Sequence, residues 1–137
     1  MMFVKIGILL LLPFVYMFFQ DEALLKSIER GQKVYEQACI KCHKQNGEGV
    51  AKFFPPLANS DYLRDQRVQS IRAVKFGQRG KITVNGITYN SQMLPPGLKD
   101  EEVTDVMNYI LHSWGNKTEK PVTLEDVQGV NRIDVGN

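Results

Sequence analysis

Apolar positions along this chain recur at helical spacing in three places and alternate in a fourth. Leu24, Leu25, Ile28, Val34, Tyr35 and Ala38 mark an amphipathic helix that runs into Cys39. Gly31 lies inside that helix, where a glycine costs about 1 kcal/mol relative to alanine. A glycine kept there points to the close approach of another backbone. Val68, Ile71 and Val74 or Lys75 mark one side of a second helix over residues 68–76, closed by Gly77 as its C′ residue. "KITVNGITYN" sets Asn85 and Gly86 between two short alternating runs, which predicts a β-hairpin leading straight into "SQMLPPG". In "LKDEEVTDVMNYILHSWGN", Val103, Val106, Met107, Ile110, Leu111 and Trp114 share one helical face. Asp100, Glu101 and Glu102 crowd its N-terminus, where the helix dipole favours negative charge, and Gly115-Asn116 is the stop. Thr123 and Asp126 have the spacing of a capping box that opens a short helical turn in the tail.

Between the first two helices, "KQNGEGVAKFFPPLANS" (residues 44–60) is too rich in turn formers to be regular structure throughout. The pattern therefore predicts a mainly α domain with helices at both ends and an irregular middle too long to pack on itself. Something has to fill that middle.

The first twenty residues differ from the rest. Lys5 precedes fourteen uncharged residues, "IGILLLLPFVYMFF" (6–19), and Gln20, Asp21 and Glu22 follow. A basic start and an apolar run of this length match an export signal, and the run is short for a spanning helix. "YMFFQDE" lacks the small residues of a cleavage site, so residues 1–20 are read as a signal peptide or an N-terminal membrane anchor. The domain is then expected over residues 21–116, with 117–137 as an extension packed on it. Either reading of the start puts the working domain outside the cytoplasm, in the periplasm or anchored to the outer face of the inner membrane.

The remaining composition is that of one ordinary globular domain, with 43% hydrophobic and 23% charged residues in 137. Charge is unevenly spread. Residues 44–81 carry eight basic against three acidic side chains, and residues 99–137 carry four basic against eight acidic. The excess is modest and no recognition motif accompanies it, which excludes nucleic acid as a partner. A one-sided basic face for an acidic protein partner, or a solvated surface with chance asymmetry, remain as readings.

Both cysteines and one of the two histidines sit in "CIKCH", Cys39 to His43. Two cysteines three apart close only a tiny loop and cannot staple a fold. A structural zinc site needs four tetrahedral ligands, and besides these three residues only the distant His112 is on offer. A dithiol redox centre wants its thiols at a helix N-terminus, where the dipole lowers their pKa; here they follow a helix, at the end where the dipole raises it. C-x-x-C-H is the sequence sign of covalent haem c attachment: two thiols reach the two vinyl groups, and the histidine is carried under the iron as an axial ligand.

At this point the chain resembles the class I monohaem cytochrome c family, from about Ile28 to Asn116. "RGQKVYEQACIKCH" is similar to that family's N-terminal helix, "FFPPL" to its Pro-x-Leu segment, "YNSQMLPPG" to its distal methionine loop, and the segment ending at Asn116 to its C-terminal helix. The resemblance implies terminal helices that cross at Gly31 around a covalently bound haem, with a small β-hairpin before the methionine loop. It implies Pro55 and Leu57 as the matching haem-side residues, with the Pro55 carbonyl accepting a hydrogen bond from His43 Nδ1–H. Leu57, Ile71 and Val106 are expected to pack near the haem and keep water away.

The iron's second axial ligand is expected from Met93. Met1, Met2 and Met17 lie in the export segment, Met107 falls on the apolar face of the last helix, and His112 sits near that helix's exposed end. Met93 as a mere gap-filler is the bland reading of the same residue. His/Met ligation closes the iron to small ligands and suits electron transfer. The resemblance thus implies a non-enzymatic, single-haem electron carrier that serves redox partners such as an oxidase, a reductase or a small electron carrier. The alternatives are a haem protein with a labile sixth ligand, peroxidase-like or gas-sensing, and a cytochrome subunit of a larger oxidoreductase. A diagnostic peroxidase would carry a second C-x-x-C-H, which this sequence lacks.

Overall fold

The computed structural model describes the backbone of residues 4–132 and the side chains of residues 20–132. Among the described residues the elements are α1 (Val4–Ala38), α2 (Ile40–His43), α3 (Asp61–Asp65), α4 (Arg67–Phe76), β1 (Ile82–Val84), β2 (Ile87–Tyr89), α5 (Asp100–Leu111) and α6 (Leu124–Gly129). Residues 1–19 of the expected export signal or anchor (1–20) lie outside the residues described with side chains, as do positions 133–137 of the extension. Among the residues searched, no helix is long and apolar enough to cross a membrane.

α1 and α5 form the main packing unit, and Gly31 is where they touch. A Cβ at that position would run into the Asp105 carbonyl and lie 2.9 Å from Tyr109 Cβ. The missing side chain lets the two backbones meet. One turn away, Ser27 Oγ donates to Asp105 Oδ1 at 2.6 Å, and Arg30 donates to both oxygens of the same carboxylate at 2.6 and 2.8 Å. On the other side of the crossing, Tyr35, Tyr109 and Trp114 form a triangle of rings with centroids 4.9–5.5 Å apart. These are the separations at which tilted aromatic pairs attract.

The buried stripe of α1 is thus Ser27, Gly31 and Tyr35, an i, i+4, i+8 row. Leu25 and Ala38, expected on that stripe, are not buried in it: Leu25 is 65% exposed, and Ala38 is exposed at the end of α1 that borders the cavity described below. The row is aimed by the glycine contact rather than by the bulkiest apolar residues. Val68 of α4 is likewise half exposed, and Ser70 and Ile71 carry that helix's burial.

α5 buries Val103, Val106, Met107, Ile110 and Leu111 as its periodicity requires. It stops at Leu111, short of Trp114, whose φ of 51° already belongs to a turn. Between β1 and β2, Asn85 and Gly86 both take positive φ (50° and 77°), the geometry of a type I′ turn. The turn is moored to the start of α3 by a reciprocal pair, Asn85 N to Asp61 Oδ1 (2.8 Å) and Asp61 N to Asn85 Oδ1 (3.0 Å).

Within residues 117–132, part of the chain after α5 joins the core. Val122, Val127 and Val130 are buried, and α6 opens with the Thr123/Asp126 capping box. Asn108, on the edge of the apolar face of α5, ties the extension down: its side chain bonds both Val122 N (2.7 Å) and Val122 O (3.0 Å), and also Ser27 Oγ.

Candidate functional site: an apolar cavity bordered by the C-x-x-C-H turn

α1 breaks at Cys39, and the motif is carried by the separate four-residue turn α2. Its backbone is closed by bonds from Cys42 N and His43 N to Cys39 O. This leaves Cys39 half-buried, Cys42 exposed and His43 buried. Burial, and then the neighbouring Cys42, push the Cys39 thiol up to about 11. A thiol so rarely ionised is a poor redox nucleophile. Zinc fares no better: among the described residues, no group of three or more His, Cys, Asp or Glu side chains could hold a metal.

The irregular segment 44–60 folds back to meet His43. Gly49 N donates to His43 O, and Leu57 N and Ala58 N both donate to Gly47 O. Gly49 has φ +66°, and a Cβ there would run into the Phe54 carbonyl and lie 2.8 Å from Pro55 O. Glycine is what lets the Pro55 carbonyl come within 3.0 Å of His43 Nδ1, which donates to it. A carbonyl can only accept, so the tautomer is set and Nε2 carries the free lone pair. Burial lowers the pKa of His43, and the Pro55 bond opposes that shift in part. His43 is therefore held as neutral imidazole, the form that ligates a metal.

Met93 arrives from the other side of the sequence. Gln78, just past the end of α4, forms an isolated antiparallel bridge with it, N to O at 2.9 Å in both directions. Gly77, at φ +83°, permits this: a Cβ there would sit 2.6 Å from Met93 O. Pro95 and Pro96 follow at once and stiffen the loop.

Cys39, Cys42, His43, Pro55, Leu57 and Met93 all border one mostly apolar cavity of about 330 Å³. That volume falls in the range of small-molecule and cofactor sites. Phe53 and Leu94 line it while 62% and 69% exposed, so the cavity reaches the surface beside them. No buried side-chain nitrogen or oxygen among the described residues lacks a partner. Among those residues His43 Nε2 has no partner, so it is not fully enclosed and faces open space. A neutral imidazole nitrogen, a thioether and two thiols around one apolar cavity are the donor set that haem c requires, and the fit is good.

The expectation for Ile71 and Val106 needs correction, while those for Met107 and His112 agree with the structure. Ile71 and Val106 belong to the core but do not border the cavity; Ala73, Val74 and Ile110 do so instead, being displaced around the same helices. Met107 is fully buried and also borders the cavity. His112 is exposed, and its Nδ1 lies 2.7 Å from Asn108 O. Sequence reasoning did not find Tyr62 and Leu63 of α3, nor the contribution of Val84 and Tyr89. The last two were in principle readable, since alternation in the hairpin sets which residues point inward.

The cytochrome c family model matches residues 28–114, the span that builds this cavity. The chain belongs to the cytochrome c family. It is similar to cytochrome c-552 of Thermus thermophilus, 40% identical over 107 residues that cover 72% of this chain and 81% of that protein. It is also 34% identical over 101 residues to the cytochrome c subunit of a quinone alcohol dehydrogenase of Gluconacetobacter polyoxogenes, covering 71% of this chain and 21% of the subunit. A third relative is the cbb3-type cytochrome c oxidase subunit FixP of Bradyrhizobium diazoefficiens, 34% identical over 107 residues, 74% of this chain and 36% of the subunit. This cytochrome carries covalently bound haem c and is an electron carrier with redox partners, not an enzyme. Its mainly helical fold with one small hairpin agrees with that membership.

Proposed function

We propose that this cytochrome holds its haem through thioether bonds from Cys39 and Cys42, with His43 Nε2 and Met93 sulfur as axial ligands. The observation that carries the assignment is the single cavity that gathers all four side chains from two distant stretches of chain. The haem supplies the one-electron chemistry. The protein's part is to orient His43 through Pro55 O, to hold Met93 through Gln78, and to exclude water with Leu57 and its apolar neighbours. The absorption spectrum of the oxidised protein tests this. A weak near-red sulfur-to-iron charge-transfer band is expected, and Met93→Ala should abolish it and lower the reduction potential. A native protein without the band, which binds carbon monoxide rapidly when reduced, would refute Met93 ligation.

Residues 1–20 act as an export signal or anchor, which places the domain in the periplasm or on the outer face of the inner membrane, and residues 6–19 are the segment available for membrane association. The intact mass of the protein isolated from its host distinguishes retention from cleavage and registers the added haem. The electron is exchanged with redox proteins that present an acidic patch. Most of the basic excess in 44–81 is used internally: Arg64 pairs with Asp65, Arg67 with Asp126 and Lys75 with Asp100, Arg72 bonds Asn131 O, and Arg79 sits against Gln92. Among the described residues Lys52 and Lys81 form no such bond, and they adjoin the cavity-lining Phe53 and Ile82. They are the cations that serve docking. Reversing both to Glu should slow electron exchange with an acidic partner and remove most of its salt dependence.

A further inference from the structure

α4 has two working faces. Ser70, Ala73 and Val74 border the cavity, while Arg67, Arg72 and Lys75 grip the C-terminal extension. At one end Arg67 donates to Thr118 Oγ1 (3.2 Å) and Pro121 O (2.7 Å). At the other end lies Lys75, with its side chain only 14% exposed. Its ammonium contacts the Asp100 carboxylate at 3.1 Å and Val127 O at 2.9 Å, with Val130 O at 3.5 Å. Those carbonyls belong to the last turn of α6 and the residue after it, so one cation joins α4, the start of α5 and the end of the extension. Next to it, Phe76 packs with its ring 5.1 Å from the Arg132 guanidinium carbon and 5.4 Å from Lys75 Nζ. The chain then runs through Gly77 to Gln78, whose backbone holds Met93. Only Phe76 and Gly77 separate this part-buried cation from the bridge that positions the sulfur.

We propose that the C-terminal extension is a clamp that acts through α4 on the Met93 loop, with Lys75 as its positioning residue. The proposal rests on Met93 being the axial ligand. The extension presses the end of α4 against α5, and the Gln78–Met93 bridge is held in register as a consequence. Losing this part-buried ammonium frees the end of α4, and the bridge opens more often. With Met93 as the ligand, the extension would set how firmly the redox centre is closed to competing small ligands.

The test uses the holoprotein with Lys75→Met and, separately, Arg67→Ala, which cuts the extension's grip at the far end of α4 and keeps the proposal testable should the first variant not fold. Two quantities are read: amide hydrogen exchange at Gln78 and Met93, and the affinity of the oxidised protein for imidazole, which competes with the sulfur. Both are expected to rise, on the order of 2- to 30-fold, as for couplings carried by packed networks. A lowered unfolding midpoint with unchanged exchange and imidazole affinity would overturn the clamp and leave the extension a purely stabilising wrap. Absence of the near-red band from the native protein would overturn Met93 ligation itself, and the clamp with it.

Discussion

Replacing Gly31 by Ala separates two opposed expectations. Helix propensity alone favours alanine inside α1 by about 1 kcal/mol, so the variant should be the more stable protein. The tertiary contact says otherwise. The new Cβ would run into the Asp105 carbonyl, 2.5 Å from its carbon and 2.9 Å from Tyr109 Cβ. Carbon atoms rest at about 3.5–4.0 Å, so α1 and α5 must part by roughly 1 Å. Overpacking of this kind costs about 1–3 kcal/mol. The same separation stretches the bonds from Ser27 and Arg30 to Asp105, now 2.6–2.8 Å long, and hydrogen bonds to a charged group are worth about 1.5–3 kcal/mol. Set against the propensity gain, the net loss is about 3 kcal/mol. In a domain of this size that lowers the thermal midpoint by roughly 10–20 °C. Guanidinium and thermal unfolding of the holoprotein measure it. Gly129→Ala is the control: among the described residues nothing lies within 4 Å of a Cβ added to that helical glycine, and its replacement should be neutral or mildly stabilising. If Gly31→Ala proves as stable as the parent, the crossing argument is wrong and α1 is placed by other contacts.

Two further substitutions examine other joints of the structure. Asn108→Ala strands the buried Val122 N–H and C=O, and should cost about 2–4 kcal/mol in guanidinium unfolding while leaving the near-red band intact. Gly49→Ala forces a side chain against Phe54 O and Pro55 O at a φ of +66° and displaces the carbonyl that His43 uses. The ring then becomes a weaker donor to the iron, and a spectroelectrochemical titration should show the potential moving upward. An unchanged potential would mean the Pro55 bond does not tune the haem.

Much of this protein was open to reading along the chain because its chemistry is local. Cys39, Cys42 and His43 lie within five residues, so one helical turn presents them together. The Asn85-Gly86 turn, the capping box at Thr123 and the apolar face of α5 are likewise set by near neighbours and by backbone sterics. Gly31 announced a contact through its cost in a helix, although not the partner's identity.

Interactions between distant residues were settled only by the fold. Leu25 is the more apolar residue, yet Ser27 is buried, because the Asp105 carboxylate waiting across the crossing rewards a hydroxyl. Arg67, Arg72 and Lys75 read as a basic face on the chain, but folding brings the acidic and carbonyl groups of the extension onto them. Charge counted along a sequence cannot tell a paired cation from a free one. Nothing along the chain told of the partners of Asn108 and Lys75, which lie 14 and 52 residues away. The sequence by itself determined which residues can attach haem and where helices and turns begin. Tertiary structure decided how those elements close around the cavity and what holds Met93 there, because such contacts depend on groups that only the folded chain brings within bonding distance.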